Sequence, residues 1–196
     1  MFVDYITLLL VNMTAGHVLL AAYVYRGLDE AESRNWAPGF GMVGLVATAF
    51  GTHMTLTWPI IGAYNSAFGE MSVLFGVIFL GAAFAMAMRW SLLSVAAYAF
   101  FAGLAAALLG VRMIGLGMTQ QPLMSGAGFI LSGLGGILAA PTLGWLPRNR
   151  ALRTGAAVVL LVGALIWAFT CYMAYWGHME SFGAWLPATM REAVSQ

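Results

Sequence analysis

Lysine is absent from this chain, and all eight basic residues are arginine. Charge of either sign is scarce: only 8% of residues are charged, against about 25% in a soluble domain. The net charge of +1 gives no electrostatic footprint for a nucleic-acid surface. The single cysteine, Cys171, excludes an intrachain disulfide and a CxxC metal site, and it reads as a small buried hydrophobe. No basic stretch precedes the first apolar run, which carries Asp4 instead, so residues 1–25 read as a retained membrane helix and not a cleaved signal. A nucleotide-binding glycine loop, a Ser–His–acid arrangement and an HExxH motif are also missing.

What fills the chain is hydrocarbon. Hydrophobic residues make up 62% of it, and the mean hydropathy is +0.88. Several apolar runs reach about 20 residues, enough to cross ~30 Å of lipid at ~1.5 Å per residue. Six spans follow: about 4–25, 38–57, 70–88, 91–113, 124–146 and 154–177. Pro38 suits the first turn of the second, and Trp58-Pro59 closes it. The expected fold is an all-α, single-domain bundle of six transmembrane helices over residues 1–196, with 177–196 as an interfacial tail.

Arginine placement predicts orientation. Loops one, three and five carry Arg26, Arg34, Arg89, Arg148, Arg150 and Arg153, while Arg112 and Arg191 fall on the other side. The positive-inside rule then puts the odd loops in the cytoplasm and both termini outside. In the fifth span Gly128, Ser132, Gly136 and Ala140 recur every four residues, a smooth ridge for a packed helix inside the bundle or for a homo-oligomer or another membrane subunit. Gly39-Phe40 and Gly44-Leu45 match Gly128-Phe129 and Gly133-Leu134 at one offset, the signature expected of an inverted three-span repeat.

An ionisable group inside a membrane costs several kcal/mol unless it is paired, so the buried polar residues are the functional candidates. His53 lies near the outer end of its span, at the height of Glu70, Arg112, His178, Glu180, Tyr64 and Asn65. Glu70 and Arg112 are expected to form an ion pair. His53, His178 and Glu70 offer metal or cofactor ligands, and Arg112, Tyr64, Asn65 and Glu180 a supporting polar layer. His17 and Met13 share a face deep in the first span, and the simplest accommodation of His17 is a hydrogen bond to a neighbouring backbone or hydroxyl. Trp167, Cys171, Tyr175 and His178 align on one face of the sixth span, either as an aromatic packing stripe or as a cofactor wall. Haem b held by His53 and His178, or copper, fits such a layer.

Three strings, GTHMTLTWPIIGAYNSAFGE (51–70), SVLFG (72–76) and YAFFAGLAAALLGVRMIGLGMTQQP (98–122), resemble a family of prokaryotic polytopic membrane proteins known as domain of unknown function 981. The starting MFVDYITLLLVNM and APGFGMVGL of the second span fit as well. The resemblance implies a prokaryotic inner membrane and brings no reaction with it. The residues therefore lead to a metal- or haem-binding subunit of a membrane redox complex with an outer-leaflet site around His53. A small-solute or ion transporter is the alternative, and a structural accessory subunit the second alternative.

Overall fold

A computed structural model describes residues 4–29, 33–60, 62–145 and 149–180. Six long helices carry them: α1 (Tyr5–Tyr25), α2 (Ala37–Thr57), α3 (Met71–Met88), α4 (Leu93–Gly115), α5 (Pro122–Ala140) and α6 (Arg150–Glu180). A π-helical turn, Asn65–Glu70, leads into α3, and another, Pro141–Trp145, prolongs α5. All six spans are long and apolar enough to cross a membrane, which marks a multi-pass membrane protein. The expected bundle of six transmembrane helices is therefore present. The tail beyond Glu180, with Arg191, and Arg148 in loop five lie outside the described residues.

Local chemistry explains the helix ends. Asp4 caps α1, its Oδ1 accepting from the Thr7 N–H at 3.3 Å. Pro38 enters the first turn of α2, where a missing N–H costs nothing. The chain leaves α2 through Trp58 at φ +47°, and Pro59 prevents continuation. Pro141 cannot donate to the ladder of α5, and the helix widens there into its π turn. The third helical segment starts at Asn65, five residues earlier than hydropathy indicates, because Asn65 is fully buried and holds the incoming loop. Its side chain accepts from the Ile60 N–H at 3.2 Å and donates to the Ile60 and Gly62 carbonyls.

Each helix packs on the next in the chain, and α6 closes onto α1, so the bundle is a ring. The closest pairs are α4–α5, α2–α3 and α1–α6; α3 and α4 touch least. Loops one, three and five gather at one end, called here the arginine face. At the opposite end Leu9, Met54, Phe68, Met113, Phe129 and Trp167 fill the ring with a continuous core. At the arginine face the core divides. One cluster around Tyr23, Phe40 and Phe79 joins α1, α2 and α3, and a smaller one, Ala21, Ala157 and Leu160, joins α1 to α6. The space between these walls and the α4–α5 pair is not filled.

The α4–α5 contact is made by glycines seven residues apart. A Cβ on Gly103 would lie 2.5 Å from the Gly133 carbonyl oxygen, and one on Gly110 2.6 Å from that of Gly126. The four-residue ridge of α5 is used inside the bundle as well: Gly128 abuts the Trp167 ring and Gly136 the backbone of α4. The expected internal repeat does not extend to the packing. Gly44 faces Leu80 and Gly76 of α3, so its counterpart Gly133 should face α6, but it faces Gly103 and Ala107 of α4.

Candidate functional site

Most of the polar residues singled out by sequence have local partners. His53 is exposed; its Nδ1 lies 2.7 Å from the Tyr5 hydroxyl, and the two rings stack at 5.5 Å. His178 turns to the neighbouring position on α1, with Nδ1 2.7 Å from Asp4 Oδ2. These two contacts tie the ends of α2 and α6 to the start of α1.

Glu70 accepts from Ser66 Oγ at 3.0 Å, one helical turn back. Arg112 is exposed at the end of α4 and makes no ion pair with Glu70. The expected Glu70–Arg112 pair is thus corrected: equal height along the membrane normal does not bring two side chains to the same side of the ring. Tyr64 joins loops two and four, its hydroxyl accepting from the Thr119 N–H at 3.1 Å. Glu180 is exposed at the last residue of α6. Among the described residues no three His, Cys, Asp or Glu side chains stand close enough to hold one metal ion. His53, His178 and Glu70, expected as metal or haem ligands, each have a local partner, and the described residues lend that centre no support.

The better-built constellation lies at mid-membrane. His17 is 2% exposed and stacks on Phe75 at 6.2 Å between ring centroids. Its Nδ1 lies 2.8 Å from the Met13 carbonyl oxygen, and its Nε2 2.9 Å from Ser132 Oγ. Ser132 also accepts from Trp167 Nε1–H at 3.1 Å and faces the Gly128 carbonyl at 2.7 Å. An imidazole donating through Nδ1 to Met13 is a neutral acceptor at Nε2. The one Ser132 proton then has two acceptors, Nε2 and the Gly128 oxygen. The network joins α1, α5 and α6, and it satisfies His17 through a backbone carbonyl and a hydroxyl, the simplest accommodation read from sequence. Trp167 and Cys171 are buried in the core, with Trp167 edge-on to Phe129 at 5.5 Å, while Tyr175 farther along the α6 stripe is exposed.

Sequence reasoning missed the cavity beside this network. A cavity of about 160 Å³ opens between α1, α3, α4, α5 and α6, running from Met13, His17 and Ser132 toward the arginine face. Its wall is almost wholly apolar, including Leu20, Leu74, Ile78, Ala102, Ala139 and Val159. At the arginine face it meets a more polar vestibule of about 270 Å³, where Tyr23, Met86, Leu92 and Leu143 line both spaces. Ser33, Trp90 and Ser91 line the vestibule alone. The one sequence signal for it is compositional: small residues, Ala99, Ala102 and Ala106, recur on the face of α4 that looks into the ring.

Arg153 closes the α1 side of that end. It is 5% exposed, and its guanidinium donates to the Val24 oxygen at 2.9 Å and the Tyr25 oxygen at 2.7 Å. A buried cation thus satisfies the last carbonyls of α1, where the helix dipole favours positive charge.

A family described as "Protein of unknown function (DUF981)" matches residues 1–181. No curated protein and no solved structure matches the chain.

Proposed function

The chain belongs to the DUF981 family, and from that footing we propose that it is a membrane-embedded binding protein for a lipid-soluble small molecule, of the carrier class. The observation that carries this reading is the apolar cavity that runs from the His17–Ser132 network to the arginine face. Ligand sites are typically concave, largely apolar and furnished with a few placed polar groups, and helix bundles build them between their helices. Here the polar groups are His17 and Ser132 at one end and the vestibule hydroxyls at the other. The loosest seam of the ring, α3–α4, borders the cavity and offers a lateral path for a molecule dissolved in the bilayer. The metal- or haem-centred reading has less support, because His53 and His178 are committed to Tyr5 and Asp4.

Filling the cavity tests the proposal. Ala102→Phe and Ala139→Phe each place a ring in its wall, and the neutral fluorophore 1-aminoanthracene reports free apolar volume. The purified wild type should bind one fluorophore per chain with enhanced emission, and each variant should lose most of that signal while keeping its helical circular dichroism. Wild-type emission equal to that of detergent alone would overturn the reading.

The same proposal places the protein in a prokaryotic inner membrane with the arginine face cytoplasmic and both ends outside. Cysteines introduced singly at positions 64 and 150, on a Cys171→Ala background, should react with an impermeant maleimide applied to intact cells at 64 and not at 150. The reverse pattern would invert the topology.

A further inference from the structure

We propose that the ligand is a single-chain anionic amphiphile, a long-chain fatty acid, bound with its hydrocarbon chain in the cavity and its carboxylate in the vestibule. This rests on the cavity being a ligand site and adds the chemistry of its occupant.

Three observations select that class. The first is length. The α3 wall runs from Met71 to Met86 and the α1 wall from Met13 to Val24, which at ~1.5 Å per residue is roughly 22 and 16 Å. One leaflet of a ~30 Å hydrocarbon core is about 15 Å deep, so the slot matches a membrane-length chain. The second is width. The space is narrow for its length, a slot with an apolar lining that suits a single acyl chain.

The third is polarity. His17 and Ser132 already have partners at both imidazole nitrogens and at the hydroxyl, so the deep end makes no demand for a polar ligand group. The headgroup therefore belongs at the vestibule. Ser33 and Ser91 line it, and each adjoins a cation in sequence or one residue beyond: Arg34 follows Ser33, and Arg89 precedes Trp90 of the same wall. Both arginines are exposed, and Arg34 is held over the end of α3 by its Nε–H, which donates to the Ala87 oxygen at 3.1 Å. Among the described residues this end carries Arg26, Arg34, Arg89, Arg150 and Arg153 against Asp29. Among the described residues the opposite end has more acids than arginines, with Asp4, Glu70 and Glu180 against Arg112. Among the described residues, the mouth of this cavity is the end matched to an anion.

The test compares palmitate with hexadecanol, equal in chain and different in charge, as competitors of bound 1-aminoanthracene on the detergent-purified full chain. Wild type should release the fluorophore to both, and to palmitate at lower concentration. Arg34→Gln/Arg89→Gln should weaken palmitate roughly fivefold per arginine, the scale of an exposed ion pair, and leave hexadecanol unchanged. Ala102→Phe should abolish both. Equal competition by the two ligands, with no effect of the double variant, would overturn the fatty-acid assignment and leave the cavity reading standing. Fluorophore binding without competition by either ligand would also overturn it, as would displacement by a diacyl phosphatidylglycerol alone. A wild type that binds no fluorophore and no palmitate overturns the cavity reading together with this one.

Discussion

Gly133→Val should destabilise the purified protein by about 3 kcal/mol or more, a lowered thermal midpoint in detergent being the readout. A Cβ on Gly133 would lie 2.5 Å from the Gly103 oxygen and 2.8 Å from the Ala107 nitrogen. Both atoms are backbone, so no side-chain rotation relieves the overlap, and α4 and α5 must separate. In lipid the association of helices depends on close van der Waals packing, because the surrounding tails are as apolar as the side chains. Separating the closest pair in the ring therefore removes the contact that holds it. Gly103→Ala and Gly133→Ala should each cost ~1–3 kcal/mol, and together less than their sum, since the first substitution has already opened the gap. Gly155→Ala and Gly115→Ala meet nothing within 4 Å and should be neutral or stabilising by up to ~1 kcal/mol. Equal midpoints for Gly133→Val and Gly155→Ala would show that the two helices do not approach as described.

The second large effect is expected at Ser132. Ser132→Ala leaves Trp167 Nε1–H and His17 Nε2 without their partner in a region away from water. A buried polar group left unpaired costs about 1–3 kcal/mol, and interhelical hydrogen bonds in membranes contribute ~1–2 kcal/mol at most in typical cases, so a loss of about 2 kcal/mol is expected. Ser132→Thr keeps the hydroxyl and should retain most of the stability. Trp167→Phe removes one donor and keeps most of the ring packed on Phe129, so the Ser132→Ala/Trp167→Phe double variant should cost less than the sum of its parts. Strict additivity in that cycle would mean that the indole and the hydroxyl are not coupled.

These residues show how far sequence carries. Composition and run length determined the solvent: with 8% charge and repeated runs of about 20 apolar residues, the chain must satisfy its backbone internally, and a helix bundle does that. Proline and the left-handed exits marked the helix ends because their effects are local. Height along the membrane normal was also legible, since it follows from counting residues at ~1.5 Å each. Asp4, His53 and His178 do gather at one end of the bundle.

Azimuth was not legible. Which helices are neighbours, and which face of each turns inward, depends on how all six close into a ring, and no local periodicity encodes that. Glu70 and Arg112 sit at matching heights and never meet. His53 and His178 are divided between Tyr5 of α1 and its cap, Asp4. The pairing of Gly103 with Gly133 and of Gly110 with Gly126 had a trace in their seven-residue spacings, but only the antiparallel contact of α4 and α5 made those spacings a shared surface. The cavity is the extreme case. A void is the space that six helices leave among them, so it belongs to no residue and to no segment, and only the tertiary structure decided it.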